Sequence, residues 1–153
     1  MEPITSSTYR CSVARTVEVV GERWTMLILR EAFLGVKRFD RMQRDLGIAR
    51  NILSDRLGKL VDQGILEKRP YSERPPRFEY RLTAKGRDLY PIVVTLMQWG
   101  DTYTAPDGPP VVLVHQDCGQ VTSPQLTCDC CGGPVHALNV RPVHGPGLGA
   151  TAA

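Results

Sequence analysis

The chain has 153 residues, of which 42% are hydrophobic and 23% are charged, and its formal net charge is +3. These values suit one packed domain with a small appendage. No run of about 18 apolar residues occurs, which excludes a membrane-spanning helix. The start, MEPITSSTYR, lacks the apolar segment of a secretory signal, so a cytoplasmic, reducing location is expected.

Charge is distributed unevenly along the chain. Residues 1–104 carry 18 Lys and Arg against 13 Asp and Glu, whereas residues 105–153 carry one against three. The basic part is therefore the candidate for an anionic partner. Proline and glycine in APDGPP end any helix there and indicate a linker. We predict three parts, namely a domain over 8–104, a cysteine-rich segment over 111–140 and a flexible tail over 141–153.

The first two helices are predicted from apolar periodicity. Val13, Val17 and Val20 recur on one helical face that ends at Gly21. Residues 22–34, ERWTMLILREAFL, are apolar almost all round in the middle, which predicts a central helix.

Two further helices follow in close succession. A short third helix is indicated by Phe39, Met42 and Leu46, and it should end at Gly47. The fourth helix is expected within RNILSDRLGKLVDQG, with an inward face formed by Leu53, Leu57 and Leu60. Gly64 should stop it.

A β-hairpin and a long helix complete the predicted domain. ILEKRPY and RFEYRLT flank SERPP, which is typical of a hairpin with a rigid, basic tip. Thr83 should cap a last helix from Ala84 to about Tyr103, which Pro91 kinks or divides. The predicted fold class is mainly α with a small β-hairpin wing, that is, a winged helix-turn-helix.

The fourth helix and the hairpin carry the candidate DNA-binding side chains. Short amides and hydroxyls suit base edges, while flanking cations suit phosphates. The candidates on the helix are Arg50, Asn51, Ser54, Asp55, Arg56 and Lys59, and those on the hairpin are Lys68, Arg69, Arg74 and Arg77. The alternative is an ordinary solvated helix face and loop.

Aromatic residues near the end of the domain predict a second subunit. Trp24 and Trp99 are expected to pack in the core or between helices rather than stack on a ligand. Tyr90, Leu96, Trp99 and Tyr103 make the last helix too apolar to stand in water. A symmetric homodimer would cover this helix and present two reading heads about 34 Å apart, one turn of DNA.

Many separate motifs in order resemble one protein family over residues 10–100. They include Cys11, Val20 and Gly21, Trp24 and Thr25, Ile28 to Arg30, Phe39, Leu53 and Ser54, Arg56 and Leu57, Gly64, Glu79 and Tyr80, Leu82 and Thr83, Lys85 and Gly86, and Trp99 and Gly100. The chain is similar here to the HxlR-type transcriptional regulators, relatives of the MarR winged-helix group. The resemblance implies a homodimer that binds a double-stranded DNA operator, with a recognition helix at 50–62 and a wing at 67–81.

Cys11 matches a cysteine that some similar regulators use to sense oxidants or electrophiles, which implies a small-molecule or oxidant effector. Arg10 and Arg15 lie nearby in sequence and would favour the reactive thiolate. The predicted DNA-binding part has no second cysteine, so a disulfide would have to join two subunits or capture a small thiol. The alternative is a small residue at a helix entrance.

The segment HQDCGQVTSPQLTCDCCGGPVH predicts a structural Zn²⁺ site. His115 and Cys118, and then Cys128 and Cys131, are two ligand pairs with a spacing of three, each followed by glycine. Three thiolates and one imidazole would fill a tetrahedral zinc-ribbon site, and some HxlR-like proteins have a similar tail. A full coordination sphere leaves no position for catalysis, so we do not expect an enzyme.

Several alternatives stay open for the tail. Cys128 could bind metal with Cys130 instead, and Cys130 could form a strained disulfide with Cys131 if metal were lost. His136 is an alternative fourth ligand, whereas His144 is given no role. In function, the alternative to a DNA-binding regulator is a zinc-ribbon interaction or metal-sensing adaptor on a winged-helix scaffold. A zinc enzyme would require an exchangeable metal-bound water.

Overall fold

The structure, a computed structural model, describes residues 11–143 and 145–146. The predictions on residues 8–10, among them Arg10, and on His144 and residues 147–153 lie outside the described residues. The chain divides into two compact units, of which one covers Ser12–Leu96 and the other contains Cys11 and the described residues from Met97 onward.

Four helices open the first unit, as the sequence predicts. They are α1 (Ser12–Val20), α2 (Arg23–Phe33), α3 (Phe39–Leu46) and α4 (Arg50–Asp62). Helix α2 begins where the Glu22 carboxylate accepts hydrogen bonds from the backbone N–H groups of Trp24 and Thr25, at 3.0 and 3.1 Å. A side-chain acceptor at this position satisfies amides that have no partner within the helix.

The core of this unit is built on α2 and α4. Ile28 and Leu29 of α2 are fully buried, which confirms the prediction of a central helix. The predicted inward face of α4 is confirmed as well, because Leu53, Leu57 and Leu60 are at most 1% exposed. Met42, Ile48, Ile65 and Leu66 complete the contacts around these side chains.

The predicted hairpin is formed by β1 (Leu66–Glu73) and β2 (Pro76–Leu82). The strands pair antiparallel from Leu66 opposite Leu82 to Glu73 opposite Pro76, with an irregularity between Pro70 and Ser72. Pairing continues further towards the tip than the sequence suggested, since Glu73 and Pro76 belong to the strands. The backbone before α3 joins the sheet, because the Tyr80 N–H donates to the Lys37 carbonyl at 2.8 Å. This hairpin, called the wing below, is thus fixed to the start of α3.

The predicted last helix is divided into α5 (Ala84–Arg87) and α6 (Tyr90–Tyr103). The cap at Thr83 is confirmed, since its hydroxyl oxygen accepts from the Gly86 N–H at 3.0 Å. Pro91 stands in the first turn of α6, where a missing N–H costs no helical hydrogen bond. No helix in the part of the chain described here is long and apolar enough to cross a membrane.

Two apolar stripes noted in the sequence are largely exposed in the single chain. Val13 and Val17 of α1 are 71% and 57% exposed, and within that stripe Val20 is buried. Trp24 packs against the core as predicted. Trp99, in contrast, is 61% exposed and is not a core residue of this chain; it lies 5.3 Å from the Tyr103 ring, centroid to centroid.

The second unit contains two small hairpin-like segments. Strands β3 (Leu113–His115) and β4 (Gln120–Thr122) pair antiparallel, with His115 opposite Gln120. An isolated antiparallel bridge joins Thr127 to Pro134. Each segment therefore closes around one of the two predicted pairs of metal ligands.

Candidate nucleic-acid interface

A basic groove lies between the start of α3, the start of α4 and the wing. Its cavity has a volume of about 330 Å³ and is lined by Arg38, Arg50 and Arg77 together with Phe39, Asp40, Ser54, Tyr71, Pro76, Phe78 and Tyr80. Burial raises the pKa of Tyr80 above its ordinary value. Three arginines from three elements thus face one concave surface.

Aromatic rings hold two of these arginines in place. The Arg38 guanidinium carbon lies 4.6 Å from the centre of the Tyr71 ring, and that of Arg50 lies 5.0 Å from the Phe39 ring. Arg50 Nη1 is also 4.0 Å from Asp40 Oδ1, with both side chains largely exposed. A cation resting on an aromatic face keeps its N–H edge available to an anion.

The groove continues into a second cavity of about 510 Å³ along α3. Lys37, Arg41 and Arg44 line this extension, together with Arg38 and Arg77. None of Lys37, Arg38, Arg41 and Arg44 was singled out from the sequence. The signal was present as four cations within eight residues, but α3 alone does not show that they face the wing. Arg41 and Arg44 share the carboxylate of Asp45, at 3.3 and 3.5 Å.

The first turn of α4 leaves its backbone amides without a side-chain cap. Ala49 occupies the N-cap position and cannot accept a hydrogen bond, and Arg38 at the start of α3 likewise makes no capping bond. Uncapped N–H groups and the positive end of the helix dipole favour an anion such as a phosphate. This contrasts with α2, where Glu22 caps the helix.

Five of the six predicted α4 residues fall into two groups. Arg50, Asn51 and Ser54 are exposed at or near the start of the helix, and Arg50 and Ser54 line the groove. Asp55 is exposed but paired, because its carboxylate lies 3.0 Å from Lys59 Nζ. The structure thus brings Arg50 and Ser54 to the groove, while Asp55 and Lys59 form an ion pair along the helix.

Arg56 is held differently from the other cations of α4. Its side chain is 25% exposed, and its Nε lies 3.1 Å from Oε2 of Glu22. The contact is an ion pair by distance rather than a directed hydrogen bond, because Nε makes no hydrogen bond of acceptable geometry. Asp55 lies 3.6 Å away on the other side. The guanidinium therefore links α4 to the cap of α2.

The four predicted wing cations are all exposed. Lys68 rests on the Phe78 ring at 4.2 Å, and Arg69 pairs with Glu67 at 2.8 Å. Arg74 and Arg77 stand at the tip, where no carboxylate of the described residues forms an ion pair with either. Arg77 faces the groove, so the tip supplies positive charge that no carboxylate of the described residues neutralises.

Cys11, the predicted redox residue, precedes α1 and is half-buried with a free thiol. The other four cysteines are also free, and all of them lie between residues 118 and 131. Arg15 takes part in an interaction with another residue of the chain.

The two predicted pairs of metal ligands occupy turns of the same geometry. The Gly119 N–H donates to the His115 carbonyl at 2.7 Å, and the Gly132 N–H donates to the Cys128 carbonyl at 2.8 Å. The two glycines have φ of 70° and 71°, a conformation that other residues rarely adopt. Hydrogen bonds from the backbone of Cys131 and of Cys130, and from the thiols of both residues, lower the pKa of Cys128.

The ligand atoms of the four residues are not all drawn together. His115 Nδ1 lies 3.4 Å from Cys118 Sγ. Among the described residues, the group of three ligand atoms within 4.8 Å of one another comes from Cys128, Asp129 and Cys130. The first pair therefore has its ligand atoms close together within its own turn, and the four-ligand set stays a prediction.

Known proteins are similar to this chain over most of its length. Residues 19–108 match the HxlR-like helix-turn-helix family. The HTH-type transcriptional regulator Rv3095 of Mycobacterium tuberculosis H37Rv, itself uncharacterised, is 54% identical over 90% of this chain and 87% of that protein. The crystal structure of PA1607, assigned as a transcription factor, superposes with a TM-score of 0.78 at 43% identity, covering 88% of this chain and 95% of that one. The redox regulator HypR in its oxidised form gives a TM-score of 0.56 at 34% identity, covering 60% of this chain and 96% of that one.

Proposed function

Because the chain belongs to the HxlR-like helix-turn-helix family, whose members are transcriptional regulators and not enzymes, we propose that it acts as a homodimer that reads a specific operator. Helix α4 enters the major groove, and the wing lies on the adjacent backbone or minor groove. The observation that carries this proposal is the cavity that Arg38, Arg50 and Arg77 line together. The protein would work in the cytoplasm, where operator DNA is found.

Base recognition in this proposal comes from the exposed start of α4. Asn51 can form paired hydrogen bonds with adenine, and Ser54 can contact several bases. Arg50 and the uncapped amides behind it bind the flanking phosphate, which fixes the depth of the helix in the groove. Arg38, Arg74 and Arg77 add phosphate contacts on both sides.

The dimer is supported by an unpartnered face of α6. Ile92, Leu96, Trp99 and Tyr103 are 37%, 54%, 61% and 71% exposed, and at about 100° per residue they fall within roughly 60° of the helix circumference. So much exposed apolar surface on one stripe is typical of an interface. A second copy of α6 is the partner we propose, because a two-fold axis then pairs two reading heads.

A signal would act by changing how the two heads are spaced. Cys11 is the candidate sensor, because its thiol is free and it precedes the exposed stripe of α1. The similarity to a redox regulator supports an oxidant as the effector. Oxidation would join two Cys11 residues of the dimer, or add a small thiol to each.

Selection of bound sequences from random duplex DNA tests the proposal. A homodimer with two reading heads should enrich a palindromic motif with half-sites about 10 base pairs apart. The competing function is a metal-sensing or interaction adaptor. The four cysteines between residues 118 and 131 support that alternative. An adaptor would enrich no motif, and that result would refute the regulator.

A further inference from the structure

From the two matched turns of the second unit we infer that this chain holds one structural Zn²⁺ ion through His115 Nδ1, Cys118, Cys128 and Cys131, with Cys130 outside the coordination sphere. This inference goes beyond the proposed DNA binding and does not depend on it.

The matched backbone of the turns is the first support. In both turns the residue after the second ligand is a glycine at φ near 70°, and its N–H donates to the carbonyl of the first ligand. That bond curls the chain so that side chains three residues apart lie on one side of the turn. Two such turns, each closing a short antiparallel segment, can supply two ligands each to one tetrahedral ion.

The environment of His115 selects its ligating nitrogen. Nδ1 lies 3.4 Å from Cys118 Sγ, whereas Nε2 lies 3.7 Å from a carboxylate oxygen of Asp117. Ligating histidines commonly turn their second nitrogen towards a carboxylate, which fixes the tautomer and the ring orientation. Nδ1 therefore faces the metal together with Cys118.

The environment of Cys130 argues against its use as a ligand. Its thiol is directed at Oδ1 of Asp129, at 3.7 Å. It also follows Cys128 by two positions, whereas the two ligands of each matched turn are three positions apart. Cys131, which stands in its turn where Cys118 stands in the other, is therefore the second ligand of that turn.

Zinc is the ion that suits these donors. Three thiolates and one imidazole are soft to borderline ligands, and together they fill four positions. The rival group of Cys128, Asp129 and Cys130 offers a carboxylate and fewer thiolates, and it comes from one turn alone. Binding through both turns also joins two segments that are short and largely exposed, so the ion would stabilise the unit.

The test is metal content of the full-length chain, purified under reducing conditions from zinc-containing medium. About one zinc per chain is expected for the natural sequence, for Cys130→Ser and for His136→Ala. Cys118→Ser and Cys131→Ser should hold less than about a tenth of that, and His115→Ala should hold it more weakly. Substitution with Co²⁺ should give the intense visible absorption of a tetrahedral thiolate site in the natural chain and in Cys130→Ser.

Three results would overturn the inference. They are a natural chain without stoichiometric zinc, loss of zinc in Cys130→Ser, and full zinc retention in Cys131→Ser. Helical circular dichroism, which comes mainly from residues 12–103, checks that each variant is folded. DNA binding is measured on the same samples, so failure of the metal site and failure of the regulator are separate outcomes.

Discussion

The Glu22 carboxylate lies 3.1 Å from the Arg56 guanidinium while it also caps α2, so a single side chain joins the start of one helix to the middle of another. Helix α2 packs on α4. The ion pair between Glu22 and Arg56 therefore helps to fix the orientation of α4 relative to α2. Arg56, predicted from the sequence to contact a phosphate, is thus placed to hold α4 against the start of α2. We expect its main effect to be on stability.

Arg56→Met keeps most of the aliphatic stem and removes the charge. It should lower the free energy of unfolding by about 1 kcal/mol, since the pair is partly exposed and screened by solvent. Glu22→Gln should cost a similar amount, because it weakens the cap of α2 as well. In a double-mutant cycle by urea denaturation, coupling of about 0.5 kcal/mol is expected. Strictly additive losses would show that the two groups act independently.

Gly86 and Gly58 should respond in opposite ways to alanine. A Cβ on Gly86 would collide with the backbone carbonyl oxygen of Ile65, which cannot move without shifting β1. Gly86→Ala should therefore destabilise the fold by about 2 kcal/mol or more. Gly58 lies inside α4 with open space around it, so Gly58→Ala should stabilise it by up to about 1 kcal/mol. Thermal unfolding of both variants checks this, and equal effects would contradict it.

The α6 stripe should control assembly. Leu96→Glu places a charge in the proposed dimer contact and should convert the protein to a monomer at micromolar concentration, as measured by light scattering after size exclusion. Leu138→Glu is the matched control, because Leu138 is 94% exposed and outside the helix. The Leu96 variant should also lose at least tenfold in operator affinity, because a monomer presents one reading head to the DNA instead of two. A dimeric Leu96→Glu protein would place the interface elsewhere.

Cys11 should determine the response to oxidants. Peroxide is expected to change the operator affinity of the natural chain, and Cys11→Ser should abolish that change without altering the reduced affinity. Cys130→Ser is the control, because it removes an exposed thiol of the second unit. A binding isotherm before and after peroxide provides the readout. If the Cys11 variant still responds, the sensor is another group.

The helices of the first unit could be predicted because each is marked locally. Leu53, Leu57 and Leu60 recur at helical spacing, and Gly47 and Gly64 follow the helices they end. Thr83 was predictable as a cap for the same reason, since capping depends on the few residues that follow it. The wing could be located from its prolines and cations, although its strands run closer to the tip than expected.

The groove could not be predicted in full, because it depends on elements that are distant in sequence. Arg38 and Arg44 line one cavity with Arg77 of the wing, which follows them by 39 and 33 residues, and the wing is held there by the hydrogen bond from Tyr80 to Lys37. The partner of Arg56 is equally non-local. Trp99 was expected in the core or between helices, and it is exposed in the single chain; an apolar helix does not reveal whether its cover belongs to the same subunit.

The salt dependence of operator binding tests most directly whether the groove between α3, α4 and the wing binds DNA phosphates. Arg50→Ala combined with Arg77→Ala should weaken binding at least tenfold and reduce the slope of log affinity against log salt by about 1 for each lost contact. Lys85→Met is the control, because Lys85 is on α5, outside the groove, and its Nζ donates to the Gln63 carbonyl. It should leave both values unchanged. A double variant with the natural slope and affinity would contradict the account.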